Sequence, residues 1–86
     1  MRASFSRNFV KQYDRAPGKI RLAFDGRLKT FLQHPHHPVL NNHALSGRLK
    51  GYRSINITGD WRAIYSEQEG AVAIFEVLGT HSQLYR

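Results

Sequence analysis

The sequence predicts an α+β domain with two N-terminal helices packed on a three- to four-stranded, mostly antiparallel sheet. Three observations carry this. Apolar residues recur every three or four positions through residue 33. From residue 44 onward the period is two. Between the two regimes stands "HPHHP" (34–38), where Pro35 and Pro38 both oppose helical continuation.

The first helix is predicted over "FSRNFVKQYDR" (5–15), where Phe5, Phe9 and Tyr13 fall at i, i+4 and i+8. Arg7, Lys11 and Arg15 point elsewhere, and Ser4 or Ser6 can cap the start. "APGK" interrupts the chain, and Pro17 suits the first turn of a second helix. Over residues 17–33, Ile20, Phe24, Leu28, Phe31 and Leu32 share one face. The first 30 residues hold eight Lys/Arg and two Asp, so the pair reads as an antiparallel hairpin, apolar inside and basic outside.

Residues 39–43 read as a loop. "ALSGRLKGYRSINIT" then accommodates a short strand near 44–48 and a longer one near 51–58. "TGD" (58–60) turns into the strand "WRAIYSE", and "EQEG" (67–70) turns into "AVAIFEVLG" (71–79). That last strand is apolar on both faces, as expected of a central strand with helices on one side. Alternation puts Arg53, Ile55 and Ile57 on one face and Tyr52, Ser54, Asn56 and Thr58 on the other. The isoleucines are expected to meet the helices, leaving Tyr52, Ser54 and Asn56 on the open face. On the next strand Arg62, Ile64 and Ser66 alternate with Trp61, Ala63 and Tyr65, and alternation alone does not choose the open set.

A chain of 86 residues makes one domain, 1–86. At this size folding buries only about 60–65% of the unfolded surface, so a long-lived partner adds useful stability. No cysteine is present, which removes disulfides and thiolate metal ligands. The N-terminus lacks a signal-peptide apolar core, and no apolar run is long enough to span a membrane. The expected location is the cytoplasm, with no membrane partner. The net charge of +7 and pI near 10.4 favour polyanions: RNA, DNA, a ribosome, an acidic partner protein or anionic lipid.

His34, His36 and His37 invite a metal reading. The spacing is that of a loop, without a second ligand pair, and a solvated helix-terminating loop is the preferred reading. No cofactor or metal is expected, and neither a phosphate-cradling glycine motif nor a nucleophile elbow occurs. The C-terminal half holds a richer set: His43, Lys50, Tyr52, Arg53, Asn56, Asp60, Trp61, Arg62, His81 and Tyr85. Metal-free RNA cleavage needs a base for the ribose 2′-hydroxyl, an acid for the leaving 5′-oxygen and a cation for the charge growing on phosphate. Histidine titrates near neutrality, arginine grips phosphate with two donors, and tyrosine or tryptophan stacks on bases. Taken singly, each residue has an ordinary structural explanation: Trp61 and Tyr65 in sheet packing, Arg62 as a surface cation, His43 in a capping loop.

"HALSGRLKGYRSINITGDWRAIY" followed by "FEVLGTHSQLY" resembles the RelE/ParE toxin superfamily of bacterial toxin–antitoxin modules. It is most similar to the YafQ-like branch, through its "H-x-L-x-G-x-x-K-G-Y-R" run, its "D-W" strand start and its "G-T-H-x-x-L-[FY]" end. The likeness covers nearly the whole chain. It implies a RelE-like, microbial-ribonuclease-like fold and a toxin that enters the ribosome and cuts mRNA. It also implies a cognate antitoxin as partner, with operator DNA reached only through that antitoxin. Carried over by motif, His43, Asp60, Arg62, His81 and Tyr85 are the implied catalytic residues. His43 and His81 would move protons, Asp60 would orient or tune one of them, Arg62 would hold phosphate and Tyr85 would position a base. Lys50, Tyr52, Arg53 and Trp61 are the expected RNA contacts.

Two positions depart from that branch. Asn56 stands where it has a histidine, and Val77 where an arginine is usual. Asn56 cannot exchange a proton and Val77 cannot hold phosphate, so the chemistry would rest on fewer groups. The alternatives are a gyrase-inhibiting ParE-like toxin, or a catalytically degenerate toxin that only binds antitoxin or nucleic acid.

Overall fold

Ser6 marks the first corner of the chain. Its Oγ accepts a hydrogen bond from the Phe9 amide and caps α1 (Arg7–Arg15), one of the two caps expected. The computed structural model describes residues 1–85. Ala16 and Pro17 separate α1 from α2 (Gly18–Gln33), which begins after Pro17 and ends at His34, before Pro35. The predicted stripe of α2 is confirmed in its centre: Ile20, Phe24 and Phe31 are buried, Leu28 is half-buried and Leu32 lies at the margin.

Before α1 lies an element the pattern did not predict, the strand β1 (Arg2–Phe5). Phe5 therefore belongs to a strand, and the helix starts two residues later than expected. β1 pairs in parallel with β5 (Val72–Thr80), from Arg2 opposite Val72 to Phe5 opposite Phe75. Four residues with a mostly exposed pattern carry no alternation signal, and their pairing partner is seventy positions away.

The remaining strands are β2 (His43–Ala44), β3 (Tyr52–Asn56) and β4 (Trp61–Gln68). The sheet is five-stranded in the order β1-β5-β4-β3-β2, antiparallel except for β1. The α+β expectation holds with one more strand than predicted, and β5 is central as its two apolar faces suggested. The short strand expected near 44–48 shrinks to two residues, because a 3₁₀ turn at Gly47–Leu49 takes the chain away from the sheet. Gly51, at φ 97°, then lies in the left-handed region that returns the chain to β3.

The helices cover one face of the sheet. Ile55, Ala63 and Leu78 lie abreast there, and Phe9, Phe24 and Phe75 meet at centroid distances of 5.1–5.7 Å. Phe31 and Tyr65 extend this aromatic core, which also takes in Ile57 and Leu40. One irregularity interrupts the β4–β5 ladder: Ile64 opposes Val77 but Tyr65 opposes Phe75, so Glu76 is an extra residue, a β-bulge. Its carbonyl accepts from Ser6 Oγ (3.2 Å) and Asn8 Nδ2 (3.1 Å). Past the end of β1, Gln12 Oε1 accepts from the Leu78 amide (2.7 Å), so α1 satisfies the edge that β1 leaves uncovered.

Candidate active site

The face away from the helices gathers most of the expected residues. Cross-strand register aligns His43, Ser54, Ile64 and Val77 in one row across β2, β3, β4 and β5. Asn56, Arg62 and Gly79 form the next row. Adjacent strands lie about 4.8 Å apart, so each row places its side chains as neighbours. This register decides the question alternation left open: Arg62, Ile64 and Ser66 face this side, and Trp61, Ala63 and Tyr65 face the helices.

A one-turn helix, α3 (His81–Leu84), folds back over the rows. Thr80 caps it in a reciprocal capping box with Gln83. The turn fits because Gly79 has no side chain: a Cβ there would lie 3.1 Å from Gln83 Oε1 and 3.2 Å from Leu84 Cδ2. The His81 amide donates to the Asp60 carbonyl (2.7 Å), which fixes α3 against the β3–β4 turn. The His81 and Tyr85 rings then lie 4.6 Å apart at 54°. Tyr85 Oη donates to Ser54 Oγ (3.1 Å) across the face. Ser54 was expected on an open face and is instead fully buried, beneath this contact.

Arg62 is held by one nitrogen. Its Nη1 donates to the carbonyls of Thr58 (3.0 Å) and Gly59 (3.3 Å) in the β3–β4 turn and of Trp61 (3.1 Å) at the start of β4. Its Nε and Nη2 have no partner among the described residues. An anchored guanidinium with that edge free is arranged for a bidentate oxyanion contact. His43 has a defined tautomer. Its Nδ1 lies 2.8 Å from the Asn41 carbonyl, and a carbonyl only accepts, so the neutral ring carries its proton there and keeps a lone pair at Nε2. His43 and His81 are both exposed.

The other expected residues divide. Lys50 is exposed and Tyr52 shares the face of Ser54 and Asn56. Asp60 is exposed, and among the described residues its carboxylate makes no hydrogen bond, so its link to His81 runs through the backbone carbonyl. Arg53 and Trp61 lie on the helix side. Arg53 Nε donates to Asn42 Oδ1 (2.9 Å), while Asn42 Nδ2 donates to the Tyr65 hydroxyl and to the Pro35 carbonyl, both at 2.8 Å. Burial pushes the Tyr65 hydroxyl above the usual tyrosine range, and the Asn42 hydrogen bond only partly offsets that. Trp61 packs against the apolar core. The register thus puts Arg53 and Trp61 on the face opposite His43 and Arg62.

Asn56 is half-buried, and its Oδ1 is fully buried with no hydrogen-bond partner. Val77 is half-buried in the row of Ser54 and Ile64. Among the described residues no three metal-ligating side chains come together. In the histidine loop, His37 Nδ1 accepts from the Val39 amide (3.1 Å). The pattern did not single out Ser54 or Asn42. Alternation placed Ser54 beside Asn56, but nothing local pointed to Tyr85, thirty-one residues away.

No curated protein sequence matches the chain significantly. Solved structures do. YafQ from Escherichia coli strain BL21(DE3) superimposes with a TM-score of 0.82 at 24% identity, covering 100% of both chains. A YoeB/ParE toxin from Agrobacterium tumefaciens gives 0.76 at 18% identity, over 94% of this chain and 99% of that one. YafQ in the E. coli DinJ–YafQ complex gives 0.67 at 29% identity, over 100% of both chains. The first two show the fold. The sequence family described as bacterial toxin of type II toxin–antitoxin system, YafQ, matches residues 1–86 in full, so the chain belongs to the YafQ toxin family.

Proposed function

We propose that this toxin is a ribosome-dependent mRNA endoribonuclease of the cytoplasm, neutralised by a cognate antitoxin. The observation that carries the reading is Arg62: its guanidinium is anchored by Nη1 on the sheet face that also carries His43, with its Nε–Nη2 edge free. The antitoxin is supported by family membership and by the DinJ–YafQ complex of a relative.

In the proposed reaction His43 Nε2 takes the proton of the ribose 2′-hydroxyl. The 2′-oxygen attacks phosphorus and the bond to the 5′-oxygen breaks. His81 in its protonated form returns a proton to that leaving oxygen. Arg62 neutralises the charge on the non-bridging oxygens, and the product is a 2′,3′-cyclic phosphate. Tyr85, in ring contact with His81, positions the base. Asp60 acts by holding α3 in place through its carbonyl. Lys50 and Tyr52 contact RNA at the rim, and the basic helices meet ribosomal RNA, so binding weakens steeply with salt. Arg53 and Trp61 are reassigned to packing.

The test adds purified protein to translating ribosomes and maps mRNA ends. Cut message that disappears with His81→Ala, at unchanged secondary structure, supports the reading. Uncut message with unaltered growth on expression overturns it, and DNA damage with intact message would point to gyrase instead.

A further inference from the structure

A crevice opens where β1 stops. β1 pairs with β5 only as far as Phe75, and beyond it the edge of β5 faces the last turn of α1 and one side of α3. The space between them measures about 520 Å³, within the range of small-molecule sites, about 300–1,000 Å³. Trp61 lines it from β4, Gln12 and Arg15 from α1, and Gln83 and Leu84 from α3. None of the residues assigned to cleavage lines it.

The chemistry of its wall is one-sided. Gln12 Oε1 accepts from the Leu78 amide (2.7 Å), and Gln83 Oε1 accepts from the Thr80 amide (2.9 Å). A backbone N–H needs an oxygen opposite it, so both side-chain amides are oriented and keep their NH₂ groups for another partner. Neither Nε2 has one among the described residues. Arg15 is exposed and makes no hydrogen bond or ion pair among the described residues. No carboxylate lines the crevice. Trp61 packs against the core yet is only half-buried, so part of its indole surface remains open.

A free guanidinium, two amide donors and an indole suit a planar, acceptor-rich anion. A nucleotide has those properties: its base stacks on the indole, its base carbonyl accepts from the amides and its phosphate meets the arginine. An acidic peptide brings the carboxylate without the planar face. We propose that this crevice binds one nucleotide of the single-stranded RNA substrate, flanking the phosphate that Arg62 holds. The proposal rests on the cleavage reading above and adds a hold outside the reacting groups. Gly79, opposite Arg62 in the register, itself lines the crevice, so the two sites are one strand, about 4.8 Å, apart at the sheet. The donors favour guanine, whose N7 and O6 both accept, over adenine, whose amino group donates.

Trp61 is the only tryptophan, so its indole N–H gives one NMR signal that reports on the crevice. The test titrates the parent protein with GMP, AMP and inorganic phosphate. GMP should shift that signal saturably, AMP more weakly, and phosphate not at all at equal concentration. Arg15→Ala should weaken GMP binding roughly tenfold, the loss of one charge-assisted hydrogen bond, and His43→Gln should leave it unchanged. In the cleavage assay Arg15→Ala should raise the half-saturating concentration of message-loaded ribosomes. Absence of a GMP shift, a phosphate shift of equal size, or GMP binding undiminished by Arg15→Ala overturns the site alone. An equal loss of affinity for message-free ribosomes in Arg15→Ala overturns the substrate strand as the source, in favour of ribosomal RNA. A GMP shift in a parent protein that cuts no message supports the nucleotide site and overturns the cleavage reading.

Discussion

Arg62 and Asn56 face each other across the β3–β4 pair, and neither engages the other. The arginine spends Nη1 on three backbone carbonyls, while the asparagine's Oδ1 is buried without a donor. The guanidinium is thus oriented by backbone alone, and the side chain opposite it contributes no proton and no hold.

Arg62→Lys keeps the charge but loses the planar edge. Single-turnover cleavage should fall on the order of 10²-fold, the loss associated with one well-placed oxyanion donor. A lysine variant that cuts at the parent rate would show that the charge alone suffices.

Asn56→Leu removes an acceptor that has no donor. Stability should be unchanged or higher by up to about 1 kcal/mol in urea unfolding, because no hydrogen bond is lost and a desolvated oxygen is removed. Cleavage should persist. A clear destabilisation would reveal that Oδ1 has a partner in solution.

Tyr85→Phe and Ser54→Ala each break the contact that pins the C-terminal turn to the sheet. Each should cost about 1 kcal/mol, with the double variant costing little more than the worse single one. Additive losses in a double-mutant cycle would mean that the two hydroxyls act separately. Tyr85→Phe should leave the tilted ring contact with His81 intact, so its effect on cleavage should be smaller than that of Tyr85→Ala.

Alkaline unfolding follows from two tyrosines. Burial raises the pKa of Tyr65, and the hydrogen bond to Asp25 raises that of Tyr13. Above about pH 10 the unfolded chain releases these protons while the folded chain retains them. The stability they contribute is therefore present below that value and lost as pH rises through the folded pKa values. Tyr13→Phe should flatten the alkaline limb of a stability–pH curve measured in urea. An unchanged limb would mean that Tyr13 titrates normally in the folded protein.

Local pattern carried much of the fold because the signals were local. The aromatic spacing of α1, the stripe of α2 and the two prolines after it are properties of neighbouring residues. The alternation of β3 correctly put Ile55 and Ile57 toward the helices. What escaped was long-range. β1 is too short and too exposed to announce itself, and only its pairing with Val72–Phe75 makes it a strand. Ser54 looked solvated because nothing nearby showed that Tyr85 would cover it. Alternation also put Arg53 on the isoleucine side, yet its charge suggested RNA. Its real partner, Asn42, lies in a loop whose geometry no period describes.

The position of β5 between the first and the fourth strand also bears on when the molecule becomes dangerous. The helix pair leans on Phe75, the N-terminal strand needs residues 72–75, and β4 needs the same strand on its other side. Contacts that span seventy positions close late, because loop-closure entropy must be met before any of them forms. A nascent chain arrested before residue 72 has helices with little to pack on and a hairpin missing its central neighbour. The folded toxin is postponed until the strand shared by both halves has been made.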